Sequence, residues 1–316
     1  MSRAKQPKVE DLLQAGVHFG HQIRRWHPKM EPYIFGVKKN IHIIDLEQTE
    51  KLLKDASDYL FEIAKKGGQI IFVGTKKQAR EVIELEAKRS GALYVTERWI
   101  GGTITNFKVI KKNIDKLVTF MKRREEGDLE KYTKKERLLI DREIEKLQRN
   151  IGGIVPLKGS PEVVVVVDAK REKTAVRESN RAGVPVVALI DTNSDPTGIT
   201  HVIPGNDDAI KSIATILKVL GDAIEEGYKE FAKLAEEKKE ALQKAEALKA
   251  EVAAKEAAEL ATAVKVTSAE APRSTEAQPE IHAEILEEAL AKVGEVEKAP
   301  KVKVEKTTKK KIKIKE

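Results

Sequence analysis

The segment FGHQIRRWHPKM, residues 19–30, gathers cationic side chains around a single tryptophan. Arg24, Arg25 and Lys29 flank Trp26, and arginine binds phosphate oxygens through paired hydrogen bonds. An exposed indole beside such cations can stack on any nucleobase. The pattern is typical of an RNA-binding loop. A surface loop with a half-buried tryptophan and acid-paired arginines would have the same sequence, so both interpretations stay open.

A second segment, ERWIGGTITNF at residues 97–107, repeats the arginine–tryptophan pair as Arg98 and Trp99. Gly101 and Gly102 follow, and glycine lets a backbone approach a partner closely. The segment therefore predicts a second RNA contact. The alternative is a tight turn with the tryptophan packed beneath it.

The loop VGTKKQAR, residues 73–80, follows an apolar run and precedes a predicted helix, which is where an open α/β sheet holds phosphate. Lys76 and Lys77 could contact a backbone phosphate there, or could be ordinary surface lysines. A phosphate-binding loop would need a second glycine and a serine or threonine after its lysine, but only Gly74 is present and Gln78 follows Lys77. No dinucleotide-binding glycine pattern occurs either. These departures argue against a nucleotide-dependent enzyme with its site near Gly74.

The acidic segment DTNSDPTG, residues 191–198, partly matches a calcium loop but lacks its glycine and its terminal glutamate. We therefore expect a turn closed by aspartate and asparagine side chains. A weak magnesium or zinc site stays an open alternative, with Asp191, Asp195, Asp207 and Asp208 as its candidate ligands. His18 and His21 lack acidic neighbours in sequence. No nucleophile motif or carboxylate pair is evident, so we predict neither catalytic residues nor a cofactor.

Composition limits the remaining possibilities. The 316 residues contain no cysteine, which excludes disulfides, thiol nucleophiles and cysteine-bound zinc. The formal net charge of +8 favours an anionic partner such as nucleic acid. No apolar stretch has the length of a signal peptide or a membrane span, so we expect a cytoplasmic protein without membrane association.

Alternating strand and helix patterns predict a doubly wound α/β domain with a parallel sheet. The pattern at residues 33–44 predicts a hairpin, and Asp45 should then cap a helix. Two amphipathic helices interrupt the alternation and should pair as a coiled-coil hairpin. The predicted organisation is an α/β domain at 1–106 and 152–231, an inserted helical hairpin at 107–151, and an Ala/Glu/Lys-rich extension at 232–316 that is partly helical and then disordered.

Six motifs occur here in the order seen in one known family: FGHQIRRWHPKM with IHIIDLEQT, FVGTKKQA, ERWIGGTITNF, VALIDTNSDP and IPGNDDAIKSI. Over about residues 7–230 the chain resembles the bacterial small-subunit ribosomal protein S-two family. The resemblance implies a Rossmann-like three-layer domain with an inserted hairpin, no cofactor and no catalysis. It also implies a cytoplasmic place in the small ribosomal subunit, bound to ribosomal RNA and neighbouring proteins, including the mRNA-binding protein S-one, and no homo-oligomer.

The resemblance assigns RNA contacts to residues that the residue types also favour: Arg24, Arg25, Trp26, Lys29, Lys76, Lys77, Arg98 and Trp99. The chain departs from the family pattern at His27, which replaces the usual asparagine, and at Ser194, which often is cysteine. The extension from residue 232 lies outside the resemblance. Two rival hypotheses are an α/β nucleotide-binding enzyme and a free regulatory RNA-binding protein.

Overall fold

The computed structural model describes residues 6–269, and side chains across nearly all of residues 6–239. It divides into two compact units, Met1–Lys244 and Ala245–Glu316, and all strands of the described residues belong to the first. The disordered end predicted for the extension lies beyond the described residues. Within the described part, no helix combines the length and apolar character needed to cross a bilayer.

A small antiparallel sheet opens the first unit after the short helix α1, Val9–Gln14. Its strands are β1 (Phe19–Gln22), β2 (Ile34–Lys38) and β3 (Ile41–Ile44), in the order β1-β3-β2. Lys39 and Asn40 join β2 to β3 with φ of 50° and 62°, the left-handed conformation that a tight hairpin turn requires. The β-hairpin predicted at residues 33–44 is confirmed, whereas the pairing of β1 with β3 was not predicted.

Five parallel strands form the main sheet, in the order β5-β4-β6-β7-β8. The strands are β4 (Ile70–Val73), β5 (Leu93–Val95), β6 (Val163–Val167), β7 (Val186–Ile190) and β8 (His201–Pro204). The chain moves outward in one direction from β4 and in the other from β6. This reversal confirms the doubly wound topology and creates a crevice at the carboxyl ends of these two strands.

Helices cover both faces of the main sheet. The five valines of β6 are all buried, because a central parallel strand is enclosed on both sides. Val163, Val165 and Val167 face one core cluster, and Val164 and Val166 face the other. The first cluster contains residues of α2 (Leu46–Lys65), α3 (Lys77–Ser90) and α7 (Ile210–Ala269), and the second contains residues of α4 (Phe107–Glu125), α5 (Lys134–Ile151) and α6 (Lys173–Ala182).

Side-chain caps begin two of these helices. The carboxylate of Asp45 accepts hydrogen bonds from the backbone amides of Glu47 and Gln48 at the start of α2, as predicted. Thr133 and Glu136 form a reciprocal capping box at the start of α5. Helices α4 and α5 pack against each other, and Lys116 forms an ion pair with Glu143 across their contact.

Candidate nucleic-acid interface

The segment that follows β1 carries its arginines on the surface. Arg24 and Arg25 lie in the short 3-10 turn Ile23–Arg25 and are exposed, and Trp26, directly after this turn, is partly exposed. The indole of Trp26 packs beside the imidazole of His42, with ring centroids 5.3 Å apart. The tryptophan is therefore supported from the small sheet while it still meets solvent.

Lys29, by contrast, is paired with an acid. Its Nζ lies 2.5 Å from Oγ1 of Thr197 and 3.4 Å from Oδ1 of Asp195. Hydrogen bonds from the hydroxyl and amide of Thr197 lower the pKa of Asp195 to about 2, and Lys29 adds to that shift. The alternative of acid-paired cations therefore applies to Lys29.

The segment after β5 folds around a buried carboxylate. Trp99 is only 5% exposed, and its Nε1 donates a hydrogen bond of 2.8 Å to Oε2 of Glu178 on α6. Oε1 of Glu178 accepts three more hydrogen bonds, from the amide of Ile104 at 3.0 Å and from the amide and hydroxyl of Thr105, each at 2.9 Å. Burial raises the pKa of Glu178, but these hydrogen bonds outweigh it and hold the pKa below its ordinary value. For Trp99 the geometry favours the packing alternative over base stacking, whereas Arg98 is exposed.

The two lysines that follow β4 differ in their surroundings. Lys77 is exposed at the first position of α3, where a phosphate could reach it. Lys76 is turned inward, with Nζ 2.7 Å from Oδ1 of Asp207 and 2.5 Å from Oδ1 of Asp208. Burial lowers the pKa of Lys76, but these two hydrogen-bonded carboxylates raise it above its ordinary value. Lys76 is thus an internal counterion of the crevice.

Four potential metal ligands meet beside Lys76, with ligand atoms within 4.8 Å of one another: His21, Asp191, Asp207 and Asp208. Nδ1 of His21 lies 2.9 Å from Oδ2 of Asp191, and this hydrogen bond raises the pKa of His21. Burial and the neighbouring carboxylates raise the pKa of Asp207 to about 7, although Lys76 opposes the shift. Imidazole and carboxylate donors suit zinc or another divalent cation. Asp195, a further candidate from the sequence, lies in the adjoining turn that contacts Lys29, away from these four ligands. The turn was predicted to be closed by aspartate and asparagine side chains: Oδ1 of Asp195 accepts a hydrogen bond from the amide of Thr197, and Oδ1 of Asn193 accepts one from the hydroxyl of Ser194.

A cleft brings further cations to Trp26. The cleft has a volume of about 370 Å³ and lies between the first basic segment, the loop that precedes α6, and the turn after β7. We call it the Trp26 cleft and define it by Arg25, Trp26, Lys170, Lys173 and Arg177. The last three cations were missed by the sequence reasoning. They could have been found from the basic cluster directly after the carboxyl end of β6, because ligand-binding residues of such sheets lie at the carboxyl ends of the strands.

The predicted contact residues do not form one continuous site. Arg24 borders a second cleft with Lys39 and Asn40 at the tip of the β2–β3 hairpin. Lys77 begins α3, and Arg98 lies in the loop after β5. The structure therefore distributes exposed cations over several elements, as an extended polyanion-binding surface would require.

These features define a doubly wound α/β protein whose crevice holds an internal ion-pair cluster and whose outer surface carries exposed cations. The sequence model of the family described as Ribosomal protein S2 matches residues 12–227. The chain belongs to the ribosomal protein S2 family, whose members are structural proteins and not enzymes.

Curated relatives agree with this assignment. The small ribosomal subunit protein uS2 of Nitratiruptor is 51% identical over 219 residues, which cover 69% of this chain and 82% of the relative. The uS2 protein of Maridesulfovibrio salexigens is 48% identical over 219 residues, with 69% and 85% covered. That of Desulfovibrio desulfuricans is 45% identical over 245 residues, with 77% and 95% covered.

Proposed function

We propose that this chain is a structural constituent of the small ribosomal subunit, where it binds small-subunit ribosomal RNA in the cytoplasm and serves translation without catalysis. The observation that carries the proposal is the family match over residues 12–227, because it spans both basic segments and the whole five-stranded sheet. The relatives are named as small ribosomal subunit proteins. We therefore favour ribosomal RNA over other polyanions as the partner of the exposed cations.

The proposed RNA contacts differ in kind. Exposed cations would bind phosphates and fix the position of the protein without reading base sequence. Trp26 would offer a stacking face. Three of the assigned residues would hold the RNA-binding segments in place, because Lys29 and Lys76 are paired with acids and Trp99 is buried. The complete proposed set is Arg24, Arg25, Trp26, Lys29, Lys76, Lys77, Arg98 and Trp99.

We further propose that the small sheet docks neighbouring small-subunit proteins, including protein S-one. Its outer surface carries exposed apolar side chains, with Phe35 80% exposed and Val37 52% exposed. Phe19 and Leu13 border the same apolar cleft. Contiguous exposed apolar surface of this kind supports a protein partner. We expect a single copy of the chain in the complex and no membrane contact.

The domain organisation that accompanies this function is also a proposal. Residues 1–106 and 152–231 would form the α/β domain, and residues 107–151 would form an inserted coiled-coil hairpin that reaches a distant partner. The packing of α4 on α5 and the capping box at Thr133 support the hairpin. Residues 232–316 would be a charged extension.

Sucrose-gradient sedimentation of a lysate tests the ribosomal proposal. The intact chain should sediment with small subunits, and the triple variant Arg24→Ala, Arg25→Ala, Arg98→Ala should be released at lower salt. Each lost phosphate contact weakens binding and reduces its salt dependence. A matched control replaces three exposed lysines elsewhere, Lys51, Lys54 and Lys211, with alanine.

Two results would contradict the proposal. If the intact chain stayed at the top of the gradient at low salt, the protein would be a free RNA-binding protein or would bind another partner. If both triple variants were released at the same salt concentration, the effect would reflect net charge alone and the named arginines would lose their assigned role.

A further inference from the structure

We propose that the Trp26 cleft holds one unpaired nucleotide of the bound RNA, with its base against Trp26 and the adjacent phosphates on Arg25, Lys170, Lys173 and Arg177. This inference rests on the proposed function and adds a defined subsite to it. The cleft volume of about 370 Å³ falls in the roughly 300–1,000 Å³ range of small-ligand pockets, which suits a nucleotide.

The cations of the cleft are available to a ligand. Arg25, Lys170, Lys173 and Arg177 are all exposed, and none has a carboxylate within ion-pair distance in the part of the chain that the structure describes. Other cations of the same surface are already occupied, since Lys29 and Lys76 contact aspartates and Arg80 lies 2.9 Å from Glu97. All four cations of the cleft are therefore free to bind an anion.

The geometry of α6 holds two of these cations side by side. Lys173 and Arg177 are separated by four positions and so lie on one side of the helix. The next residue, Glu178, points inward and is fixed by its four hydrogen bonds to Trp99, Ile104 and Thr105. Because Glu178 fixes the rotation of α6, the lysine and the arginine stay directed to the outside.

The negative charge of the carboxylate that lines the cleft is offset by a neighbouring lysine. Asp195 lines the cleft, but its Oδ1 accepts hydrogen bonds from the amide and hydroxyl of Thr197 and from Lys29. Four cations therefore face one already-bonded carboxylate. The local field favours phosphate.

The partly exposed indole of Trp26 favours unpaired over paired RNA. A base inside a duplex cannot present its face to a side chain in a cleft, whereas an unpaired base can leave the stack and pack on an indole. Trp26 is partly exposed and is supported from behind by His42, while the other tryptophan of the chain, Trp99, is buried. An aromatic face among unpaired cations favours a nucleotide over an acidic peptide, because the peptide would use the charges alone.

Tryptophan fluorescence of the full chain tests the inference directly. The probes are a short single-stranded oligoadenylate, the same strand in a complete duplex, and an oligoglutamate peptide, each at low salt. We expect the oligoadenylate to quench the emission saturably, and we expect Trp26→Phe to abolish that response, because the sequence contains only two tryptophans and Trp99 is buried.

Paired variants test the phosphate contacts. Lys173→Ala with Arg177→Ala should weaken oligoadenylate binding about tenfold to a hundredfold, as expected for two lost charge-assisted contacts. The matched control is Lys108→Ala with Lys112→Ala, which removes two exposed cations at the same spacing on α4 and should leave binding nearly unchanged.

The outcomes separate this inference from the proposed function. Three results would overturn the nucleotide cleft: an absent response to oligoadenylate, an equal response to the duplex or to oligoglutamate, or equal weakening of binding by the test pair (Lys173 with Arg177) and the control pair (Lys108 with Lys112). Co-sedimentation of the intact chain with small subunits would then still support the ribosomal function. Loss of co-sedimentation together with an absent response would overturn both.

Discussion

A single substitution at Glu178 should destabilise the second basic segment, residues 97–107, more than any other change. In Glu178→Gln, the remaining carbonyl oxygen can accept the three hydrogen bonds now made to Oε1, from Ile104 and Thr105. The new amide NH₂ would then face the indole Nε1–H of Trp99, so two donors would oppose each other. Losing a charge-assisted hydrogen bond and leaving a buried donor unpaired should lower the free energy of unfolding by about 2–4 kcal/mol.

Urea unfolding of the full chain, followed by circular dichroism, measures this cost through the transition midpoint and slope. The control is Glu81→Gln, which changes an exposed glutamate on α3 and should shift the free energy of unfolding by less than about 0.5 kcal/mol. Comparable losses in the two variants would refute the role of the buried hydrogen bonds.

A double-mutant cycle with Trp99→Phe isolates the opposed pair of donors. Phenylalanine removes the indole N–H, so Glu178→Gln should cost less in the Trp99→Phe background than in the parent chain. The coupling should be about 0.5–3 kcal/mol, as for residues in direct contact. Strictly additive costs would show that Trp99 does not depend on Glu178.

The pH dependence gives an independent check on Glu178. Its pKa in the folded state lies below the ordinary value of 4.5, so the folded protein binds this proton less readily than the unfolded chain. The stabilisation is therefore complete above the unfolded-state pKa and is lost as the pH falls through the folded-state pKa. The difference between the parent chain and Glu178→Gln should shrink over that interval, and an unchanged difference would contradict the assignment.

Three further changes have definite expected outcomes. Lys76→Met should lower the free energy of unfolding by about 3–5 kcal/mol at mildly alkaline pH, because it leaves the buried carboxylate of Asp207 without its cation. The loss should be smaller at about pH 5, where Asp207 is protonated, and urea unfolding at both pH values would contradict this if the loss were larger in acid. Gly227→Ala should destabilise the protein because the added methyl group would lie 2.6 Å from a side chain of α2, whereas Gly159→Ala meets open space and should be nearly neutral; thermal unfolding of both variants would refute the argument if their midpoints agreed. Asp45→Ala should cost about 0.5–2 kcal/mol through the lost cap of α2, and Asp45→Asn should recover most of it in the same denaturation assay.

Local signals predicted the framework of the fold. The five consecutive valines of β6 could be accommodated only by a strand buried on both faces, and the structure buries all five. Asp45 and Thr133 marked helix starts because their side chains satisfy amides only a few positions away. Each of these features depends on interactions within one element or between adjacent elements. A single sequence therefore contains enough information to predict them.

The roles of the site residues could not be predicted, because they are set by contacts between residues that are distant in sequence. Lys76 meets Asp207 across 131 positions, and Trp99 meets Glu178 across 79 positions. Neither pair has a periodic pattern, so the residue types alone left Lys76 and Trp99 undecided between binding and packing. The general convergence of parallel strands at their carboxyl ends could have placed Lys76 near Asp191, but it could not have shown that the lysine is already neutralised.

The crevice at the carboxyl ends of β4 and β6 is unsuited to the phosphates of a nucleotide cofactor. In a dinucleotide-binding domain, glycine after the first strand lets the pyrophosphate approach the backbone. Here a side chain at Gly74 would lie 2.4 Å from Cδ1 of Ile83, so this glycine is required for packing α3 on the sheet. The crevice itself contains Asp168, Asp191 and Asp207, whose mutual repulsion helps to raise the pKa of Asp207. A phosphate would add negative charge where negative charge is already in excess. The cations available to RNA therefore lie outside the crevice, on the loops and on α6, which is where an extended partner can contact several of them together.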